Sequence, residues 1–497
     1  MSLFRRSTAR QILRSISAPR LRAACVEPLE NRLLLSGDYT YAFQIGSPAV
    51  GQTPNNDLAN AVTVDRYGNT FVVGGFAGTV DFNPSSRKTF NLTSSGLTDV
   101  FVVKFGPDGG FLWARQAGGV DEDLASAVVT DRHGNVIIAG GFTDEADFRP
   151  GKKFAILGSR GGLDAFVWEL DADGNLLNAI RAGSPGTDAV NSIALDPSGN
   201  ILISGIFAEQ ADFANTDLGT NGGQDAFIAK ITPAFSLTFA VNVGGIGDDT
   251  GAGITTDAQG NIYEVGSFAS TADLDPGPGT HDVVSKGGTD GYVLKLGPQG
   301  GFLSAAQLGG TGDDDATAIV IDRGGNEIVA GNFTGTADLD PNAGTTNLTS
   351  AGNSDVYVAK YNTSGNIVWA RKAGGASADA VRSITVDKPG NVYLTGQYAG
   401  TADFDPGPSV FNLVGTGTLA NAFVWKVSSA GDFIYARDFH TASGFAEGAC
   451  IALDATGELF VAGKFSGTVD FNPGRKISDR ITSSDTSYDA FLAKLTP

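Results

Sequence analysis

One pattern returns along almost the whole chain and limits its fold before any single residue is considered. An Asp followed by Phe or Leu stands at Asp81, Asp147, Asp212, Asp273, Asp338, Asp403 and Asp470, at spacings of 61 to 67 residues. The text around it recurs as well. One copy reads Asp379-Ala-Val-Arg-Ser-Ile-Thr-Val-Asp387, Gly390-Asn391-Val-Tyr-Leu-Thr-Gly396, Asp403-Phe-Asp-Pro-Gly-Pro408 and Ala422-Phe-Val-Trp-Lys426. Seven copies at one period are the mark of a repeat architecture rather than of independent domains.

Each copy holds four short apolar runs bounded by Gly, Asn, Asp or Pro, which read as strands. The first run alternates with a period of two, as at Ile193 and Leu195, and ends in Asp65, Asp131, Asp196, Asp257, Asp322, Asp387 or Asp454. Four residues before that Asp the side chain is always small: Ala61, Ala127, Ser192, Gly253, Ala318, Ser383, Cys450. A small residue in every copy predicts crowding, as where seven inner strands converge on an axis. The second run follows a Gly-Asn turn, as at Gly134-Asn135, and Gly supplies the positive φ such a turn needs. The landmark Asp then reads as a turn followed by a loop of 10–16 residues. The third run carries Phe101, Phe166, Phe227, Tyr292, Tyr357, Phe423 or Phe491, with Asp (once Asn421) two residues before and Lys (once Glu169) three after. That spacing puts aromatic and charge on opposite faces of a half-buried strand. The fourth run often contains an aromatic, as at Trp113, Trp369 and Tyr435, and usually ends in Gly-Gly.

These runs predict an all-β fold, a seven-bladed β-propeller of four-stranded antiparallel blades over residues 38–497. The last copy stops after its third strand, while Tyr39–Gly46 reads as a fourth strand without a blade. The expectation is that this N-terminal strand completes the last blade and closes the ring, hiding both sheet edges.

Residues 1–37 are different. Seven Arg against two Glu give +5, leaving −25 of the net −20 for the remainder. The segment is expected to be a basic, disordered export element. Its end, Glu27-Pro-Leu-Glu-Asn-Arg-Leu-Leu-Leu-Ser-Gly37, resembles the Leu-Glu-Pro-Arg/Leu-Leu-Ser sorting segment of planctomycete-type surface proteins, with Asn31 where Pro is usual. The resemblance implies export to the cell surface or beyond. The acidic body argues against nucleic acid. Cys25 and Cys450 allow no disulfide framework. No run approaches the roughly 18 apolar residues of a membrane span.

Residues 39–497 resemble the bacterial β-propeller repeats of the SBBP type, in the pattern Asp, Gly-Asn-Val-Tyr-Val-x-Gly, Asp-Ala-Phe-Val-x-Lys, Gly-Gly. Members are typically exported, and the resemblance assigns no reaction.

Several acid sets are candidates for chemistry. Asp57, Asp123, Asp188, Asp249, Asp314 and Asp379, with Ala446 breaking the set, start the inner strands, and the seven Asp named above end them. They read as turn chemistry, or as carboxylate rings at the two mouths of a central channel that hold a cation. Asp273/Asp275, Asp338/Asp340 and Asp403/Asp405, with Asp290 and Asp355 nearby, read as turns or as Ca²⁺ ligands, since Ca²⁺ takes six to eight oxygens from carboxylates and carbonyls. Asp171-Ala-Asp-Gly-Asn175 resembles the start of a Ca²⁺ loop without its final Glu. The three His lie at unrelated repeat positions and join no Ser or Cys motif. A catalytic site should break the repeat, and the clearest break is Arg437–Glu447. The expectation is therefore a monomeric, exported binding or structural module for a protein or polysaccharide. The alternative is an extracellular carbohydrate-active hydrolase or lyase working at an acidic channel mouth.

Overall fold

Runs of β-branched and aromatic residues separated by single turn residues leave the chain little choice but short strands joined by hairpins. The computed structural model describes residues 39–46, 56–85, 87–149, 155–214, 216–415, 419–441, 443–472, 479–483 and 487–496. Among these every regular element is a β-strand. The sorting segment lies outside the described residues.

Four strands recur as an antiparallel meander. Leu58–Val64, Thr70–Phe76, Asp99–Phe105 and Phe111–Ala117 pair in that order. Among the described residues seven such sets follow one another, with first strands beginning at Leu58, Asp123, Ala189, Thr250, Asp314, Ala380 and Phe445. The last set consists of Phe445–Leu453, Leu459–Ser466, Asp489–Leu495 and, as its fourth strand, Tyr39–Ile45. Tyr39 stands opposite Leu495 and Ile45 opposite Ala490.

The turn after each first strand is built by its terminal Asp. Asp65 Oδ1 accepts the N–H groups of Tyr67 (2.8 Å) and Asn69 (2.9 Å), and Oδ2 accepts Asn69 Nδ2 (2.7 Å). The Gly between them takes φ of 83° at Gly68 and 93° at Gly390. Where Glu458 replaces Asn, Asp454 takes the Thr456 hydroxyl instead (2.6 Å).

Two features depart from the reading of the sequence. The landmark Asp does not open a plain loop: it ends one arm of a short hairpin, Thr79–Asp81 with Asn91–Thr93 in the first set and Thr401–Asp403 with Asn412–Val414 in the sixth. The arms are three or four residues long in most sets and too weakly patterned to register as strands. Each hairpin also bridges to the preceding set, through a Gly in six sets, as in Gly118 with Asp147, Gly374 with Asp403 and Gly46 with Asp81, and through His440 with Asp470 in the seventh. Secondly, the third strand is buried on both faces. Lys104, Lys230, Lys360 and Lys426 are all under 9% exposed, because each set is covered on both sides by its neighbours. Two of their Nζ groups reach the next set closely: Lys104 to Ala172 O (2.9 Å) and Lys230 to Pro298 O (2.8 Å).

The core lies between consecutive sets. Phe71 and Trp113 of the first set pack with Phe166 and Trp168 of the second. One backbone bond recurs at the junctions: Asp123 N donates to Thr98 O (2.8 Å), Asp188 N to Leu163 O, and Asp249 N to Gln224 O. Asp57 N makes the same bond to Tyr488 O of the last set (2.8 Å), and Phe460 and Leu492 of that set pack with Phe101 and Val72 of the first. The small inner position is crowded as expected. Ser192 Oγ accepts Ile254 N (3.1 Å), and Cys450 Sγ lies 3.7 Å from Val62 O with its thiol pKa raised by burial.

Candidate functional site

The acids in repeat register are engaged by the backbone. Asp314, at the start of its first strand, is 2% exposed. Its Oδ2 accepts Gly310 N (2.6 Å) and its Oδ1 accepts Thr334 N (3.2 Å). Asp123, Asp249 and Asp379 repeat both bonds. Asp188 does too, adding the Ser184 hydroxyl.

Beside each of these stands the Asp that opens the third strand of the preceding set. The point where a Cβ on Gly309 would stand is 2.9 Å from both Asp290 Oδ1 and Asp314 Oδ2. Two carboxylate oxygens thus lie within about 6 Å of each other, the range in which like charges raise pKa values. The Gly there is required because any side chain would collide with the pair. Burial, with some help from the neighbouring carboxylate, pushes Asp123 and Asp379 up to about 7 and Asp188, Asp249 and Asp314 up to about 6. Asp164, Asp225, Asp290 and Asp355 are fully buried, and the Oδ1 of each has no hydrogen-bond partner.

That arrangement gives a pH dependence. Folded-state pKa values above the ordinary carboxylate value leave these acids fully stabilising only below about pH 4, with stability lost as pH rises through about 6 to 7. Asp225 is the cleanest probe. Its Oδ2 accepts Asn221 N (2.9 Å) and Asn242 Nδ2 (2.8 Å); Asp248 acts on both members of the pair, and Asp225 acts on Asp249. Asp225→Asn keeps an acceptor for those donors, removes one charge, and brings an amide donor to the unpartnered position. It is expected to raise stability by roughly 1–2 kcal/mol at pH 8 and by little at pH 4. Thermal melts at the two pH values check this, and an equal shift at both would show that repulsion is not the cause.

The three pairs of candidate Ca²⁺ ligands sit in the short hairpins, and the hydrogen bonds describe turns. Asp273 Oδ1 accepts Asp275 N (2.9 Å) and His281 N (2.8 Å), while Asp275 Oδ1 accepts Gly277 N (2.8 Å). Asp338 with Asp340 and Asp403 with Asp405 repeat this. Asp81 makes both bonds to Asn83 N and Phe90 N in a copy without the second acid. Asp290 and Asp355 face Asp314 and Asp379 rather than these hairpins. Among the described residues no three His, Cys, Asp or Glu gather as a metal-binding group. Asp171–Asn175 is the turn between third and fourth strands of its set, capped by Asp171 Oδ1.

Residues that break the repeat gather where the sixth set meets the seventh. Asn421 and Ala446 replace the acid pair together, and His440-Thr441 replaces Gly-Gly. Thr441 N, which elsewhere would bond the missing carboxylate, donates to Asn421 Oδ1 (2.8 Å). Tyr398 stands where the six other sets have Phe; its hydroxyl donates to Asp438 Oδ2 (2.9 Å), which lies 3.1 Å from His440 Nδ1. The hydrogen bond to Asp438 raises the His440 pKa. Closer to the first strands, Arg382 Nε donates to Glu447 Oε1 (2.7 Å) across the same junction, and Lys464 Nζ is 3.2 Å from Glu447 Oε2. Sequence reading marked Arg437–Glu447 as irregular but missed Tyr398 and Arg382, which lie 40 and 65 residues from their partners.

All seven first strands line one cavity of about 220 Å³. Its wall at one level is Asn60, Ser126, Asn191, Ala252, Thr317, Arg382 and Ala449, one residue from each strand. Arg382 is the charged member.

The fold and this site define an all-β protein built on a propeller-type repeat. More particularly, residues 368–397 match the model of the SBBP beta-propeller repeat, and the chain carries that repeat. The stretch takes in the end of one set and the first two strands of the next. Among curated proteins, an uncharacterized WD repeat-containing protein, L264, of Acanthamoeba polyphaga mimivirus is 22% identical over 536 residues, 88% of this chain and 37% of that protein. The regulatory protein FlaEY of Caulobacter vibrioides is 26% identical over 357 residues, 67% of this chain and 35% of that protein. The chain thus spans little more than a third of the length of either relative. Among solved structures, Sqt1 from Chaetomium thermophilum aligns at 10% identity over 93% of this chain and 98% of that one, with a TM-score of 0.40. The Pan2 WD40 domain of Neurospora crassa aligns at 13% identity over 68% and 86%, with a TM-score of 0.31. Scores of that size carry no argument about detail.

Proposed function

We propose that the seven sets are the blades of one closed β-propeller, completed by Tyr39–Ile45, and that the chain is an exported, cell-surface module that binds a protein or polysaccharide. Closure is supported by the recurrent junction bond reappearing between Asp57 and Tyr488, and by a cavity to which every first strand contributes. The observation that carries the binding reading is the division of labour among polar residues. Acids in register are engaged in holding turns and junctions, while residues out of register collect at one junction and on the cavity wall. A scaffold needs the first group, and a ligand needs the second. A glycan and cell-wall binding screen with residues 38–497 tests this; saturable binding weakened by changes at Arg382 or Asp438 is expected. Binding that is indifferent to both moves the site elsewhere.

The His440–Asp438–Tyr398 cluster favours a second reading, a carbohydrate-active hydrolase or lyase, and product analysis in the same screen separates the two. Calcium is a further proposal. At the Asp275, Asp340 and Asp405 hairpins it would draw on the Oδ2 atoms, carbonyls and water. A melting temperature raised by Ca²⁺ and lowered by a chelator would establish it, and identical melts would leave these hairpins to turn chemistry.

A further inference from the structure

We propose that the cavity walled by the seven first strands binds a small, polyhydroxylated carboxylate of the sugar-acid class, anchored by the guanidinium of Arg382. This rests on the binding-module reading and makes it specific.

The anchor is built rather than incidental. Arg382 is pinned at Nε by Glu447 Oε1 (2.7 Å), which fixes the plane of the guanidinium. Its Nη1 and Nη2 make no hydrogen bond to the described chain, and its side chain is 42% exposed. Two parallel N–H groups in a fixed plane match the two oxygens of a carboxylate. Glu447 does not cancel the charge, because Lys464 Nζ holds its other oxygen (3.2 Å). The trio is left with one net positive charge inside a protein of net charge −20. Asp315 is a further acid on a wall strand. It is occupied by Asn332 N (3.1 Å), Asn332 Nδ2 (3.1 Å) and the Thr317 hydroxyl (2.6 Å).

The wall supplies partners for hydroxyl groups. Asn60 Nδ2 donates to Ala125 O and Asn191 Nδ2 to Gly251 O, both at 2.9 Å. Each amide is thereby oriented, and its Oδ1 remains an acceptor. Ser126 adds a hydroxyl at the same level. Ala252 and Ala449, on the first strands of the fourth and seventh sets, add no polar side-chain group. About 220 Å³ is below the roughly 300–1,000 Å³ of sites for drug-sized ligands, so one sugar-acid residue suits it and a chain does not. A single cation and several acceptors select for one carboxylate with hydroxyls over a phosphate, and Val62, Val128, Ile193, Ile254, Ile319 and Ile384, which also line the cavity, offer packing for the carbon skeleton.

Titration calorimetry of the full chain with D-glucuronate tests this, with glucose and acetate as controls and a glucuronate trisaccharide to separate a free ligand from a chain end. Glucuronate is expected to bind saturably, and glucose and acetate at least about tenfold more weakly, since each lacks half of the recognition. Arg382→Gln should weaken glucuronate by about tenfold or more, the loss expected when a charge-assisted pair is removed. Ala252→Leu fills the cavity from a first strand two sets away from that of Arg382, leaves the arginine in place, and should abolish binding while the melt stays cooperative. No saturable heat with glucuronate on the unmodified protein overturns the proposal, as does equal affinity of Arg382→Gln. If the glycan screen then finds a ligand whose binding ignores both variants, the binding-module reading stands and this site falls.

Discussion

A chain lacking Tyr39–Ile45 is expected to lose its cooperative melt and to aggregate. The seven residues form the whole fourth strand of the last set. Ile45 is 1% exposed, Phe43 packs with Phe105 at 4.7 Å between ring centroids, and Tyr39 and Ala42 lie against the core formed by the sixth and seventh sets. Burying each large apolar side chain is worth roughly 1.5–3 kcal/mol and each ladder bond roughly 0.5–1.5 kcal/mol. Together they reach the roughly 5–15 kcal/mol on which a whole domain survives. The deletion also uncovers Asp489–Leu495, an apolar strand whose free edge would template pairing with other chains. A rearranged chain separates the strand's role from its position in the sequence. Tyr39 faces Leu495 as Leu176 faces Leu170, where Asp171–Asn175 makes the turn. Moving 39–46 behind Leu495 through a copy of that turn should therefore restore the native melting temperature. Calorimetry of the deletion and the permutant checks both, and a deletion that melts like the parent would refute closure by this strand.

What the sequence exposes and what it hides follow from how local each constraint is. The turn Asp, the Gly-Asn that follows and the small residue at Ala61 or Cys450 act within a few residues or in every set, so repetition displays them. The partner of Tyr39–Ile45 is legible because the last copy lacks a fourth run. Strand burial is less legible. Lys104 reads as solvent-facing until the neighbouring set covers it, and its charge is satisfied by a carbonyl 68 residues away. The short hairpins are hidden because three-residue arms show no periodicity. The candidate site is the least legible part. Arg382 and Glu447 are 65 residues apart, and only the packing of the sixth set against the seventh makes them neighbours. The simultaneous loss of both acids at Asn421 and Ala446 is visible in the sequence, but its meaning needs the knowledge that those two positions touch.

Replacing Glu264 by Gln is expected to raise stability above pH 8 and flatten its dependence on pH. Glu264 occupies a position that is Val72, Ile138, Ile203, Val329, Leu394 or Val461 in the other sets. It is 0% exposed, with its carboxyl hydrogen-bonded by the hydroxyls of Ser204 and of Tyr292 (3.1 Å). Gly251 makes the room, since a Cβ there would stand 2.5 Å from Glu264 Oε1. Desolvation pushes its pKa up to about 8 against these two hydrogen bonds, so at neutral pH the group is a carboxylic acid. The contribution is complete below about pH 4.5 and is lost as pH rises toward 8. The full loss is on the order of 5 kcal/mol. The amide of Gln keeps partners for both hydroxyls and has nothing to ionise, so its advantage should be small at pH 5 and grow through pH 8. A second variant tests the packing alone. Ser204→Ala with Glu264→Val and Tyr292→Phe restores the apolar register of the other sets, and exchanges such as this are neutral or stabilising by up to about 4 kcal/mol. Denaturant unfolding at pH 5, 7 and 9 measures all three proteins. Parallel pH profiles for the parent and Glu264→Gln would mean that Glu264 is already ionised in the fold, and that water or a cation reaches it between the third and fourth sets.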